Sequence, residues 1–198
     1  MNQEQNLEEI IEGCRLQDAS AQRQLYDKYN RFLYAICLRY LDSRMEADDL
    51  LVDSFLKIYQ QIGTFKGDEK SFVAWMKRIV VNGALDMIRY NSRRVHVDIN
   101  SEDTVAIYDT VVVSSSTQLE QRDLVEQAMR TLDPMYREIL NMVAIDEYSF
   151  AEASKQLQQP ESTLKSRYYR ACEMMRSAIQ KVDFKTWKQY KESRSRGR

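Results

Sequence analysis

The stretch TLKSRYYRACEMMR, residues 163 to 176, sets Lys165, Arg167 and Arg170 along one side of an expected helix and Leu164, Tyr168, Cys172 and Met175 along the other. Ammonium and guanidinium groups at this spacing break no bonds; they bind anions, and arginine can fork onto a guanine edge or a phosphate. Ser166 and Tyr169 add hydroxyls to the same outward face. The plainer reading is a solvated charged face, which is what most helical charge runs are. A second basic set weighs against it. Residues 66–94 carry 7 bases against 3 acids, and the helix expected there turns Lys77, Arg78, Asn82 and Arg89 away from its apolar stripe. Residues 42–53 have the opposite sign, with 5 acids and 1 base, and Asp48, Asp49 and Asp53 stand outside the core positions. Such a face repels DNA and suits a basic protein partner.

The remaining reactive residue types point to no enzyme. Cys14, Cys37 and Cys172 are far apart and lie among apolar helix positions, as buried thiols of a reducing compartment do. His96 is the sole histidine and has no partner at metal-ligand or triad spacing. No metal, cofactor or catalytic residue is expected. The N-terminus carries acids where a signal peptide would carry bases, and no stretch approaches about 18 uninterrupted apolar residues, so a soluble, cytoplasmic protein without membrane insertion is expected.

Helices must position these groups. With 5 Gly, 2 Pro and 43% hydrophobic residues the chain has few turns and enough apolar side chains for real cores. A short helix over Leu7, Ile10, Ile11 and Cys14 precedes a stripe of Leu25, Tyr29, Phe32, Leu33, Ile36, Cys37 and Tyr40. Ser43 and Glu46 make a capping-box pattern for a helix through Leu51, Phe55, Ile58 and Ile62. Past the loop GTFKGDEKS, a helix starting near Ser71 buries Phe72, Trp75, Met76, Ile79, Val80 and Met87. Period is lost between Arg94 and Thr117, where VVV is read as extended chain because a lone strand has nothing to pair with. It resumes with Leu119, Leu124, Val125, Ala128 and Leu132. Asp133-Pro134 opens a helix over Ile139, Leu140 and Val143, and Ser149 with Glu152 caps a short one ending near Leu157. Short helix, QQP turn and long basic helix outline a helix-turn-helix. The expected fold is all-α: an N-terminal helix bundle and a C-terminal helix-turn-helix domain joined by an irregular acidic linker.

Three segments in order resemble the bacterial sigma factors of the sigma-70 family, in particular the extracytoplasmic-function (ECF) group: RMEADDLLVDSFLKIY, SFVAWMKRIVVNGALDMIRY, and the run from Leu132 to Ala171. The resemblance implies a region 2 domain at 1–94, a linker at 95–117, a region 4 domain at 118–182 and a basic tail at 183–198. It implies a factor without chemistry of its own that docks on core RNA polymerase, directs it to promoter DNA and assists melting. Asp49 and Asp53, with Asp48 beside them, take the polymerase-binding role. Lys77, Arg78, Asn82, Asp86 and Arg89 take the minus-ten role. Gly63, Thr64, Phe65, Lys66, Gly67, Asp68, Glu69 and Lys70 correspond to the loop that captures a flipped base, Phe65 being either a stacking platform or an inward-packed ring. Lys165, Ser166, Arg167, Tyr169 and Arg170 take the minus-thirty-five role. Many relatives are held by an anti-sigma factor, so one is a further expected partner, though no residue identifies it.

Departures from the family pattern are specific. Gln158 and Gln159 stand where glycine is usual in the turn, and a left-handed Gln costs roughly 1 kcal/mol. Ala153, Ser154 and Gln156 replace larger or more apolar residues, Val52 replaces a polar one, and Gly83 interrupts the minus-ten helix. The rival reading is a dimeric helix-turn-helix repressor, which leaves the acidic helix unexplained. The basic tail is expected to add sequence-independent phosphate attraction.

Overall fold

Leu7, Ile10, Ile11 and Cys14 share one face of the first helix, α1 (Leu7–Arg15), and all four are buried. The computed structural model describes the backbone over residues 7–94, 125 and 127–195, with side chains up to residue 91 in the first stretch and 181 in the last. The helix α1 ends in a left-handed residue, Gln17, while the Asp18 amide reaches back to the Gly13 carbonyl. This double closure satisfies carbonyls left open at a helix end. Asp18 then caps α2 (Ala19–Tyr40) by accepting from the Ser20 amide. Ser43 caps α3 (Arg44–Gln61) through the Glu46 amide. A single 3-10 turn, Ile62–Thr64, leads into the loop before α4 (Glu69–Arg94).

The first unit, Met1–Thr110, is built around α2, which packs on α1, α3 and α4. Leu25, Leu33 and Cys37 of α2, Ile58 of α3, and Phe72, Met76, Val80 and Val81 of α4 are fully enclosed. Each such aliphatic or aromatic side chain contributes roughly 1.5–3 kcal/mol of transfer free energy, enough to fix the relative phase of the helices. Glycine sets the closest approaches. A Cβ on Gly13 would lie 2.5 Å from Ala21 Cβ, and one on Gly83 would lie 2.7 Å from Leu50 Cδ1. Gly83 therefore does not interrupt α4; it lets α3 lie close against it. Two expectations are corrected here. Phe32 is 40% exposed, although it falls in the apolar stripe of α2. The helix α4 starts at Glu69, ahead of Ser71, because Asp68 takes both the Ser71 amide and hydroxyl as cap donors.

The second unit, Val111–Arg198, is described at residue 125 and from residue 127 to 195. Asp133 accepts from the Met135 amide, and Pro134 occupies the first turn of α5 (Pro134–Leu140). The helix then widens into a π turn over Asn141–Ile145, where the Asp146 amide donates to the Asn141 carbonyl five residues back. Asn141 and Met142 at the start of this turn are buried, and Val143, expected as core, is only half-buried where the wider turn shifts the apolar period. Ser149 and Glu152 form both halves of a capping box that opens α6 (Phe150–Leu157). Gln158 adopts the left-handed conformation at φ 52°, so the left-handed residue of the turn is supplied without glycine. Ser154 donates its hydroxyl to the Gln159 carbonyl at 2.6 Å, which braces the turn that follows. The last helix, α7 (Glu161–Ser195), runs through most of the segment set apart as a basic tail. It packs on α5 and α6 and shares a core of Ala128, Met129, Leu132, Leu140, Ala171 and Met175. Val125, expected inside, is exposed. Among the described residues no strand occurs; the expected linker at 95–117, the VVV stretch, Leu119, Leu124 and His96 lie outside them.

Candidate nucleic-acid and protein interfaces

The helix α3 carries two faces. Ala47, Leu50, Leu51, Ser54, Phe55 and Ile58 are buried, while Asp48, Asp49 and Asp53 are exposed. The Tyr34 phenol hydrogen-bonds Asp48, and burial together with that carboxylate raises the phenol above its ordinary value. Asp48 is therefore engaged by α2, which leaves Asp49 and Asp53 as the more available acids of the three. Sequence reasoning noted Val52 as a departure but missed Met45 and Leu56 beside it, and so the apolar stripe of this face. Met45, Val52 and Leu56 are 72%, 55% and 53% exposed. With Asp49 they follow the 45, 49, 52, 56 spacing of one helical stripe, the signal that could have found them. An apolar stripe edged with carboxylates is a protein-binding surface in outline, since charged rims steer and apolar centres hold.

The helix α4 lies against that helix. Glu46 of α3 accepts from the Asn91 side chain at 2.7 Å, which fixes the far end of α4. Arg89 donates to Asp86 and, at 3.2 Å, to the Leu85 carbonyl, so its guanidinium is held in one place along the helix. Arg78 and Asp86 are exposed, whereas Lys77 and Arg89 are half-buried. Asn82, expected to point away from the stripe, is half-buried, and its amide oxygen is enclosed without a hydrogen-bond partner among the described residues.

The loop from Gly63 to Lys70 is held at several points. Phe65 packs inward against Phe72 and Trp75, with ring centroids 5.0 and 5.4 Å away. Its ring is thus a core anchor and offers no open stacking platform. Thr64 donates to the Gln61 carbonyl, Asp68 caps α4, and Glu69 sits 3.7 Å from the Lys28 ammonium. The bonds from Ser71 hold the Asp68 carboxyl below its usual value. Lys66 and Lys70 are exposed, and Gly67 presents backbone with no side chain. A Cβ there would meet Ser71 Cβ at 2.9 Å and Phe65 Cζ at 3.1 Å.

In the second unit, Leu164 and Ala171 on the inner side of α7 are fully buried, and Lys165, Ser166, Tyr169 and Arg170 are exposed, with Arg167 half-buried. Lys165 lies 3.3 Å from Glu161 and 5.7 Å from the centre of the Phe150 ring. An exposed pair of this kind contributes about 0.3–0.5 kcal/mol, so a phosphate can displace Glu161 at little cost. Tyr168 turns inward, edge-on to Phe150 at 5.6 Å, and Tyr169 is left outward. Among the described residues no helix is long and apolar enough to cross a membrane, and no group of His, Cys, Asp or Glu could hold a metal ion.

Comparison with known proteins places the chain in a family. Residues 25–94 match Sigma-70 region 2 and residues 122–175 match Sigma-70, region 4. The chain is 30% identical over 154 residues to "ECF RNA polymerase sigma factor SigM" of Mycobacterium tuberculosis, covering 78% of this chain and 74% of that one. It is 27% identical over 184 residues to "ECF RNA polymerase sigma factor SigW" of Bacillus subtilis, covering 89% and 98%. Among solved structures, the sigma factor RpoE in complex with the anti-sigma factor NepR, from Bartonella quintana, aligns with a TM-score of 0.54 and 22% identity over 80% of this chain and 96% of that one.

Proposed function

This chain belongs to the extracytoplasmic-function group of the sigma-70 family and directs RNA polymerase to promoters, and from that premise we propose how its surfaces divide the work. The outward face of α3, with Asp49, Asp53, Met45, Val52 and Leu56, docks on core polymerase. The Lys77, Arg78, Asn82, Asp86 and Arg89 group on α4 engages the minus-ten element, with Asp86 positioning Arg89 where its fork can reach a phosphate or base edge. The 63–70 loop takes the captured base through Lys66, Lys70 and the open backbone at Gly67, because an unstacked base is read on its exposed edges. Lys165, Ser166, Arg167, Tyr169 and Arg170 read the minus-thirty-five element from the major groove.

The observation that carries this reading is the sorting of charge within one unit: an acidic, partly apolar face on α3 lies next to a basic α4. Sigma factors generally catalyse nothing, and we assign this one a cytoplasmic, non-enzymatic role. An anti-sigma factor, such as the one in the solved complex of the relative, would silence it by covering either face. The test is incubation with core polymerase and a promoter library. Specific initiation with core enzyme, weak DNA binding without it, and loss of core binding in Asp49→Lys/Asp53→Lys are expected. Tight operator binding by the protein alone would favour the repressor reading.

A further inference from the structure

We propose that Arg15 is a positioning residue for base capture, acting from a helix that lies outside the matched region 2 segment. The match begins at Leu25, after the whole of α1. From the end of that helix, Arg15 Nη2 donates to the Phe65 carbonyl at 2.8 Å, across fifty residues of chain. Its Nη1 donates to Glu12 at 2.9 Å, which fixes the plane of the guanidinium. A planar fork held at one edge presents its other donor in a fixed direction, which a lysine ammonium does not do.

The inference rests on the reading of the 63–70 loop as the base-capturing segment. A loop that must wait for an unstacked base gains by being ordered beforehand, since ordering it at the moment of capture would subtract from binding. Phe65 is the hinge of that order: its ring is sunk between Phe72 and Trp75, and its carbonyl is held by Arg15. The next residue is Lys66, exposed, followed by Gly67, where an added Cβ would crowd Ser71 and the Phe65 ring. Releasing the carbonyl frees the peptide that carries Lys66 to rotate while the ring stays anchored. A hydrogen bond to a charged donor at a partly exposed site is worth about tenfold in such an equilibrium.

The experiment uses full-length protein, core polymerase and promoters carrying each of the four bases at every nontemplate position of the minus-ten element. Open-complex formation is read by 2-aminopurine fluorescence, with melting temperature and core affinity measured alongside. Arg15→Ala is expected to compress the base preference at the captured position by about tenfold while core affinity and minus-thirty-five recognition stay unchanged. Arg15→Lys, which can still donate to the carbonyl, is expected to recover part of it. If the alanine variant does not fold, Arg15→Lys and Arg15→Gln are read in its place, with the same direction expected. A photoreactive side chain at position 66 reports separately whether the loop meets the nontemplate strand. Crosslinking with an unchanged base preference in the Arg15 variants overturns the role of Arg15 and leaves the loop reading standing. Absence of crosslinking in the open complex overturns both.

Discussion

Gln158→Gly should stabilise the helix-turn-helix unit. Gln158 sits at φ 52° and ψ 42°, the left-handed region, and its side chain is exposed. A side chain in that conformation costs about 1–2 kcal/mol through the clash of Cβ with the following carbonyl. Glycine removes the clash but adds freedom to the unfolded chain, which returns about 0.5–1 kcal/mol. No buried contact is lost, and the amide of residue 158 keeps its bond to the Ser154 carbonyl. The net gain is about 0.5–1 kcal/mol, which in a unit of this size moves the midpoint up by about 2–8 °C. Calorimetry of the full chain, following the transition of the second unit, measures it. Asn in the same place should fall between Gln and Gly, since Asn tolerates this conformation. A midpoint that stays or falls with Gly, while the Asn variant also shows no gain, would refute the strain argument.

Gly13→Ala should destabilise the first unit by about 1–3 kcal/mol, because the new methyl would fall 2.5 Å from Ala21 Cβ and neither atom can rotate aside; urea titration gives the value, and a neutral result would mean that α1 can lift off α2 freely. Burial pushes the Cys37 thiol up to about 12 and the Cys14 thiol up to about 11, from 9.0. Both are then neutral thiols in the native state, and the stability tied to them is fully present below the unfolded value and is lost as pH climbs from 9.0 through the folded values. Iodoacetamide at mildly alkaline pH should therefore label half-buried Cys172 first, and the other two only with denaturant; native labelling of Cys37 at the rate of a free thiol would contradict this.

Much of the architecture was legible because its signals are local. Ser149 with Glu152, Asp133 with Pro134, and the Leu7, Ile10, Ile11, Cys14 stripe each lie within a few residues and act through one turn of helix. Misreadings arose where two local signals competed or where a helix changed pitch. Asp68 and Ser71 are both good caps, and the aspartate took the role by binding the serine. The π turn added a residue that no apolar period announces, which left Val143 only half-buried. Phe65 could have faced either way on composition alone; the rings of Phe72 and Trp75 decide it. The Arg15 bond to Phe65 joins residues too far apart for any pattern to pair. On α3 the acids were visible in the sequence, whereas the apolar stripe between them needed the buried side to be identified first.

The two-sidedness of α3 bears on how such a protein can change allegiance. Its inward residues answer to neighbouring helices, through Leu50 against Gly83 and Glu46 against Asn91, while Met45, Asp49, Val52, Asp53 and Leu56 answer to nothing inside the chain's own core. Substitution at such exposed positions is expected to shift folding stability by no more than about 0.5 kcal/mol. Change on this face can therefore alter what the helix meets before it alters the fold, and the positions where it can do so recur on successive turns of a single helix.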